Sequence, residues 1–541
     1  MVFPLGSKII TLGASHTQSG NGASATDTSN QADSILTWAM RDIPAFKHSV
    51  WYDSTATPLF RGSNFGIAGD SATMLLARIP SIIKSATKQN AKIAVLLIGT
   101  NTGSTDFTAD IKKQRIKNIV DNLTSRGLTI LLGTILPRAV TGTGFALEEP
   151  KSYLQIIQET NIYIKSLATS NVLVWDAWDD LIDPQYTQAD DYYGTPLADY
   201  TTDGVHLTPK GAYQAAISLR SVLQTLVPSL DMWEGTWFNS NPNQSGNRLL
   251  DGEFSGTGGT VGAGLTGELS SNWSASINSP VRVSGVCSLA SNTNTGGNTT
   301  KITLTSLGGG SATGFERATL SPAAARVDES SMTNGKWCRL MFKLSVQNHD
   351  GALGSVHATL YNSTTGQYGY GLKYTTANEG NQPFPLGEHN IWLVSEAVKY
   401  NTYDVFAPSL NIDMLVGAAG SVTVDVEAAL LLEYESPVTE FAYLASPPLK
   451  GAALTLNFTE LSQMQCMGTS YNPATYPNGV AGSLEIVDGW MKATIRQTDP
   501  PTFTGIRAEV ITHSNALGDE QTITWEMMVK SDEWTEETGQ I

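Results

Sequence analysis

Four short blocks of glycine and polar residues occur in the first 206 residues, and they constrain the fold more than any other feature. They are Gly13-Ala14-Ser15, residues 64–70, Gly99-Thr100-Asn101 and Asp203-Gly204-Val205-His206. The first and third each close an apolar run, and such a run ended by glycine predicts a buried strand of a parallel sheet. Ser15 and Asn101 are therefore predicted at carboxyl ends of strands, where open α/β sheets bind their ligands.

The first and fourth blocks together hold the residue types of nucleophilic catalysis. A serine hydroxyl needs a base within hydrogen-bonding reach, and Asp203 precedes His206 by three residues, ahead of a helix predicted over residues 212–227. In such a loop a carboxylate can hold one imidazole nitrogen while the other faces Ser15. The alternatives are a helix cap for Ser15 and a turn residue for Asp203. His16, directly beside the serine, is predicted to line the pocket and not to act as the base.

The second and third blocks hold groups that can stabilise a negatively charged oxygen. Backbone N–H groups approach a ligand closely where glycine lacks a Cβ, as in residues 64–70. The side-chain amide of Asn101 is predicted to point into the same crevice. In acyl transfer, one such donor contributes roughly 3 kcal/mol to stabilising the oxyanion. Taken singly, a glycine turn and an asparagine turn are the alternatives.

In order and spacing, the four blocks resemble those of the SGNH hydrolases, also called the GDSL esterase/lipase family, over residues 5–228. The resemblance implies Ser15 as nucleophile, His206 as base oriented by Asp203, and an oxyanion hole made by the Ser15 N–H, the Gly69 N–H and the Asn101 amide. Two positions depart from the family's pattern, because Ala14 and Thr102 stand where the family usually has aspartate. Both positions normally help to hold their loops.

The rest of this half alternates predicted strands and helices. Strand-like runs occur at residues 8–12, 93–98, 128–136 and 171–175, and helical patterns at residues 72–84, 110–126 and 151–169. Such alternation predicts a parallel sheet flanked by helices, and the family resemblance implies the flavodoxin-like form of it. Residues 1–230 are accordingly predicted to be an α/β catalytic domain.

Residues 184–202 are predicted to rim the crevice beside the base. They include Tyr192, Tyr193 and Tyr200 among several carboxylates. This composition suits a sugar, since aromatic rings pack on apolar sugar faces and carboxylates accept hydroxyl protons. A solvated polar loop is the alternative, and both interpretations fit the sequence.

After residue 230 glycine, serine, threonine and asparagine dominate. Residues 231–248 are predicted to be a connector and residues 249–446 a β-sandwich. Residues 447–541 are predicted to be a β-rich, jelly-roll-like segment, and whether it is a partial sandwich or is cut short at Ile541 stays open. The sandwich resembles carbohydrate-binding modules that follow esterase domains in bacterial and phage proteins. Six aromatic residues are candidate sugar platforms, with core packing as the alternative for each: Trp273, Trp337, Tyr361, Tyr368, Tyr370 and Trp392.

Composition narrows the partners and the setting. No apolar run is long enough to span a bilayer, and no signal peptide is visible at the N-terminus. The net charge of −17 falls almost wholly after residue 230, because residues 1–230 hold 18 of the 33 basic and 19 of the 50 acidic side chains. This acidity disfavours nucleic acid and anionic membranes as partners. The cysteines lack metal-ligand spacing, and pairing of Cys287 with Cys338 stays open.

The sequence therefore predicts a modular serine esterase that removes O-acetyl groups from a polysaccharide and needs no metal or cofactor. The β modules resemble those of phage tail fibres and tailspikes, which implies an extracellular or virion-borne chain, and a homotrimer if it is a tail fibre. Two alternatives stay open. One is a lipase or thioesterase of the same family, and the other is a glycan-binding structural tail protein with a vestigial esterase domain.

Overall fold

A computed structural model describes the greater part of the chain. The described residues are 3, 7–19, 21–23, 27–41, 46–47, 63–101, 108–139, 150–187, 193–227, 247–293, 295–312, 314–323, 327, 332–373, 384–402, 404–434, 464–465, 480–487, 490–497, 507–512 and 521–526. The chain divides into two compact units, Met1–Pro448 and Leu449–Ile541. Among the described residues, no helix combines the length and the apolar character needed to cross a membrane.

The N-terminal part of the first unit is an α/β fold. Its elements are β1 (Ser7–Gly13), α1 (Ser15–Ser19), β2 (Asn21–Ala23), β3 (Asp27–Gln31), α2 (Ile35–Ala39), β4 (Phe46–Lys47), α3 (Ala72–Lys88), β5 (Ala91–Leu97), α4 (Ala109–Thr124), β6 (Thr129–Gly133), α5 (Pro150–Ser166), β7 (Val172–Trp175), α6 (Trp178–Leu181) and α7 (Pro209–Gln224). Five strands form a parallel sheet in the order β4-β1-β5-β6-β7. The predicted parallel sheet with flanking helices is confirmed.

Consecutive residues of a strand point to opposite faces of the sheet, and both faces of this sheet are buried against helices. Ile9 of β1 belongs to the apolar cluster that also contains Leu219 of α7. Ile10, the next residue, packs in a second cluster with Leu75 of α3 and Ile116 of α4. This two-sided burial explains why the strands are continuous apolar runs, and it leaves the strand ends as the place for polar groups.

After α7, the described residues of the first unit contain strands and no helix. They are β8 (Thr260–Val261), β9 (Leu265–Gly267), β10 (Trp273–Ile277), β11 (Val283–Ser291), β12 (Asn298–Leu307), β13 (Phe315–Pro322), β14 (Trp337–Asn348), β15 (Leu353–Asn362), β16 (Gln367–Lys373), β17 (Gly387–Val394), β18 (Val398–Lys399), β19 (Phe406–Leu415) and β20 (Ala419–Tyr434). Two large sheets result, β2-β3-β16-β15-β19-β13-β10-β8 and β17-β14-β20-β12-β11-β9, with β18 beside β14.

The larger of these sheets includes two strands from the N-terminal part of the chain. β3 pairs in parallel with β16, and β2 pairs with β3 in antiparallel fashion. The segment that directly follows α1 is therefore part of the sheet of the β-rich region. This pairing joins residues that the sequence placed in separate domains, 1–230 and 249–446.

A buried tryptophan makes a second connection between the same two parts. Trp38 of α2 is fully buried, and its ring lies 5.4 Å from that of Tyr213 and 5.3 Å from that of Phe384, measured between centroids. The ring of His389 lies 4.9 Å from Tyr213. Residues from α2, α7 and the β-rich region thus form one aromatic cluster.

Three sequence-based expectations for the β-rich region need correction or completion. Asn247 and Arg248, predicted within the connector, are part of the β structure, because Asn247 accepts the Leu431 N–H at 2.9 Å and Arg248 donates its own N–H to the Leu431 carbonyl at 2.8 Å. Cys287 and Cys338 are both free and buried. Trp273 and Trp392 are core residues, with exposed fractions of 1% and 7%.

The second unit is described over five strands. They are β21 (Met464–Gln465), β22 (Val480–Val487), β23 (Trp490–Gln497), β24 (Arg507–Thr512) and β25 (Gln521–Glu526). They form a three-stranded sheet, β21-β24-β25, and a two-stranded sheet, β22-β23.

Candidate active site

The first block begins where β1 ends. Gly13 is the last residue of the strand, and a Cβ there would lie 2.3 Å from the Leu97 carbonyl of β5, so only glycine fits. Ser15 opens helix α1 and is partly exposed. Ala14 is 3% exposed and packs in the apolar cluster of the sheet. An aspartate at this position would bury a carboxylate among apolar side chains, which is consistent with the alanine found there.

The second block lies against the end of β1. The Phe65 N–H donates to the Thr11 carbonyl at 2.8 Å, and the Ile67 N–H donates to the Gly13 carbonyl at 3.2 Å. Gly69 follows, in an exposed turn with a left-handed φ of +83° that glycine adopts without strain. The backbone pairing thus carries Gly69 to the end of the strand that leads to Ser15.

The third block meets the second. Ser71 and Asn101 form an isolated parallel bridge, and the Asn101 Nδ2 donates to the Asp70 carbonyl at 3.1 Å. The same side-chain nitrogen carries a second hydrogen. Arg78 of α3 donates its Nε–H to the Asp70 carboxylate at 3.0 Å and so stabilises the turn that contains Gly69.

The fourth block supplies a close histidine–carboxylate pair. The Nδ1 of His206 lies 2.7 Å from Oδ2 of Asp203, and both side chains are partly exposed. The other oxygen of Asp203 accepts the backbone N–H groups of Val205 and His206 at 2.9 and 2.7 Å. Burial pushes the pKa of Asp203 upward, but these hydrogen bonds outweigh it and hold the pKa below its ordinary value. The carboxylate is therefore ionised at neutral pH and fixes the imidazole.

His16 joins the first block to the fourth. Its Nε2 lies 2.8 Å from the Val205 carbonyl, and its ring centroid lies 5.8 Å from that of His206. The side chain is 8% exposed. Burial lowers the pKa of His16 to about 4, so at neutral pH the ring is uncharged and donates from Nε2 to the carbonyl. The hydrogen bond of His16 thus connects the loop of residues 203–206 to α1.

The histidine at position 16 is expected to make stability fall in acid. Its folded-state pKa of about 4 lies below the ordinary 6.5, so between these values the unfolded chain binds more protons and the free energy of unfolding falls as the pH falls. The loss attributable to this group approaches roughly 3 kcal/mol near pH 4. Asp33 has the opposite effect on stability, because burial raises the pKa of its carboxyl to about 7, so that the free energy of unfolding contributed by this group rises as the pH falls.

The test compares wild type with His16→Gln, which keeps an N–H donor for the Val205 carbonyl. Because the contribution of Asp33 is common to both proteins, their difference isolates the histidine. Denaturant unfolding at pH 7 and pH 4.5 is expected to show a smaller acid loss for the variant. Equal losses in the two proteins would mean that this histidine does not titrate as described.

The remaining predicted site residues have varied places. Tyr192 and Thr102 lie outside the described residues. Tyr193 accepts a hydrogen bond at its carbonyl from Gln158 at 3.4 Å. Tyr200 is partly buried, and the Lys210 ammonium lies 5.4 Å from its ring centroid. Among the described residues, no group of three or more His, Cys, Asp or Glu side chains is placed to hold a metal ion.

Two buried cations at this edge of the sheet were not expected from the sequence. Lys112 of α4 is fully buried and donates to the carbonyls of Gly99 and Asn101 at 2.8 and 3.1 Å. Arg138, 6% exposed, directs Nη1 toward the Thr100 carbonyl at 3.5 Å. The sequence contained one indication of the buried lysine, because position 112 falls on the apolar face of α4 and a lysine there interrupts that face.

The four blocks therefore lie next to one another at the carboxyl ends of β1 and β5. Residues 12–213 match the model of the GDSL-like Lipase/Acylhydrolase family, and this part of the chain is a GDSL-like lipase/acylhydrolase domain. No curated protein matches the chain.

Three solved structures illustrate the fold similarity. A GDSL-like lipase from Bacteroides thetaiotaomicron is 15% identical over 40% of this chain and 88% of its own, with a TM-score of 0.29. A lipolytic protein of the G-D-S-L family from Veillonella parvula is 15% identical over 41% of this chain and 100% of its own, with a TM-score of 0.28. A family 3 carbohydrate esterase from Clostridium thermocellum is 16% identical over 41% of this chain and 99% of its own, with a TM-score of 0.28.

Proposed function

We propose that this protein is a serine esterase that removes short acyl groups, chiefly O-acetyl, from a polysaccharide. One observation carries the proposal: the Asp203–His206 pair, at 2.7 Å, lies on a loop that the His16–Val205 hydrogen bond holds against the segment of Ser15. A nucleophile, a base and an orienting carboxylate on adjacent loops are the working parts of acyl transfer.

The reaction follows from these parts. The Oγ of Ser15 attacks the ester carbonyl while Nε2 of His206 takes its proton. The oxyanion that forms is stabilised by the backbone N–H groups of Ser15 and Gly69 and by the Asn101 amide. The imidazolium, held by Asp203, then protonates the departing sugar alkoxide, which leaves an acyl-serine. Water, deprotonated by His206, hydrolyses this ester and restores the serine.

The polysaccharide part of the proposal is supported by how the chain is built. β2 begins at Asn21, shortly after Ser15, and belongs through β3 to the eight-stranded sheet of the β-rich region. The chain therefore passes from the nucleophile into a large sheet within a few residues, and this connection is our reason for proposing a long substrate. From the resemblance to phage tail proteins, we propose an extracellular or virion-borne setting. If the protein is a tail fibre, light scattering is expected to give the mass of a trimer.

A lipase is the second candidate, and one observation favours it. Ile67 in the second block and Met74 in the first turn of α3 are large apolar side chains with exposed fractions of 42% and 49%. Exposed apolar groups beside an oxyanion hole suit a longer acyl chain.

Chain-length dependence distinguishes the two candidates. Rates are measured on p-nitrophenyl acetate, butyrate and octanoate, followed by acetate release from O-acetylated xylan and from the same xylan after alkaline deacetylation. The proposal expects the acetate ester to have the highest kcat/KM and acetate to appear only from the acetylated polymer. A preference for octanoate by about tenfold or more, which corresponds to 1.4 kcal/mol, would favour the lipase. Inactivity on every ester would indicate a vestigial site.

A further inference from the structure

A buried ammonium group binds the backbone of the third block, Gly99-Thr100-Asn101. Lys112 has no exposed surface, and its Nζ donates to the carbonyls of Gly99 and Asn101 at 2.8 and 3.1 Å. These two carbonyls flank Thr100, so one cation fixes the backbone of the whole Gly99-Thr100-Asn101 turn. On its other side the turn presents the Asn101 amide, which meets the Asp70 carbonyl at 3.1 Å.

The position of this lysine is unfavourable for helix α4 itself. The helix begins at Ala109 after the N-cap Thr108, so Lys112 places a positive charge in the first turn, where the helix dipole disfavours cations. Burying an ammonium also costs several kcal/mol before its hydrogen bonds are counted. Lys113, the next residue, shows the ordinary alternative, because it lies at the surface beside Asp110 at 3.4 Å.

We propose that Lys112 is a positioning residue for the oxyanion hole, with Asn101 as the group that it positions. This inference rests on the proposed function and adds a residue to it. By fixing the carbonyls of Gly99 and Asn101, the ammonium sets the direction in which the Asn101 amide points. This effect acts in the transition state, so it raises kcat and leaves substrate binding almost unchanged.

The test is a double-mutant cycle on p-nitrophenyl acetate with wild type, Lys112→Met, Asn101→Ala and the double variant. Methionine keeps the length and volume of the chain but lacks its charge and its N–H donors. Lys112→Met is expected to lower kcat by roughly 10- to 100-fold, as a misplaced catalytic group does, with KM within about threefold of wild type. Without the Asn101 amide the lysine has nothing to position, so the same change in Asn101→Ala is expected to cost less than about threefold.

Two controls separate positioning from general stability. Lys113→Met makes the same change one residue away at the surface and is expected to keep the wild-type kcat. Leu123→Ala removes a fully buried side chain from the same helix and is expected to lower the melting temperature while leaving kcat within about threefold. If Lys112→Met does not fold, the cycle is run with Lys112→Gln, which keeps an N–H donor, and the same non-additivity is expected.

The outcomes are distinguishable. If wild type does not cleave the ester, or Ser15→Ala cleaves it equally well, the proposed function fails and takes this inference with it. If wild type cleaves the ester through Ser15 but Lys112→Met keeps full kcat, or its loss multiplies with that of Asn101→Ala, only the role of Lys112 is overturned. A loss of kcat that disappears in the Asn101→Ala background supports it.

Discussion

Replacing Ser15 by alanine is expected to lower kcat for p-nitrophenyl acetate by roughly 10⁴-fold or more, as removal of a serine nucleophile does in other hydrolases. The reason is the position of this serine, at the end of β1 and beside the loop that carries the Asp203–His206 pair. Without the hydroxyl no acyl-enzyme can form, and only attack by water remains. Since the side chain is small and partly exposed, the variant is expected to fold like wild type.

Ser81→Ala is the matched control for this variant. The Ser81 hydroxyl lies on the exposed side of α3 and bonds only locally, to the Arg78 carbonyl at 2.8 Å. The control is therefore expected to keep the wild-type rate and melting temperature. Retention of activity by Ser15→Ala, with Ser81→Ala also active, would place the nucleophile elsewhere.

Asp203→Asn is expected to lower kcat by roughly 10³- to 10⁴-fold, the scale of this change in a serine triad. The carboxylate accepts three hydrogen bonds, from the Nδ1 of His206 and from two backbone N–H groups. An amide offers one oxygen in place of two. If that oxygen keeps the backbone N–H groups, the NH₂ group faces Nδ1 and forces the proton onto Nε2, so the ring cannot accept the serine proton.

Asp199→Asn is the control, because Asp199 is a nearby carboxylate that pairs with Lys210. It is expected to retain kcat within about twofold, as is usual for exposed ion pairs that contribute little. The rates are compared at saturating ester, with circular dichroism as the check on folding. Equal losses in the two variants would mean that the effect comes from the loop's net charge and not from the histidine that Asp203 holds.

The α/β half of the fold could be predicted from local pattern. The apolar runs at residues 8–12 and 93–98 are β1 and β5, and the helical periods at residues 110–126 and 151–169 match α4 and α5 within a few residues. These elements are buried on defined faces, so their sequence period reports their structure.

The joining of the two halves could not be predicted in this way. β2 and β3 are polar and short, and β3 pairs with β16, more than three hundred residues later. Nothing in the local sequence of residues 21–31 identifies so distant a partner. Trp38 is similar, since two of the rings that pack against it, Phe384 and His389, come from the β-rich region.

The candidate site shows the same division. The positions of Ser15 and Asn101 follow from where β1 and β5 end, and the Asp203–His206 contact follows from a three-residue spacing. The prediction that His16 lines the pocket stays a prediction, and its hydrogen bond to the Val205 carbonyl could not be foreseen, because the partner lies 189 residues later in the chain. Lys112 was missed because lysines are almost never fully buried, and because its hydrogen bonds to the carbonyls of Gly99 and Asn101 have no sequence signature.

The most direct test of the central claim is to find the residue that carries the covalent bond. The protein is treated with a fluorophosphonate probe, which traps activated serines, and the labelled site is located by peptide mass mapping. We expect a single adduct, on Ser15, whose formation slows strongly in Asp203→Asn and is absent in Ser15→Ala. An adduct on any other residue, or no adduct in a preparation that hydrolyses p-nitrophenyl acetate, would contradict the assignment of Ser15 as the nucleophile.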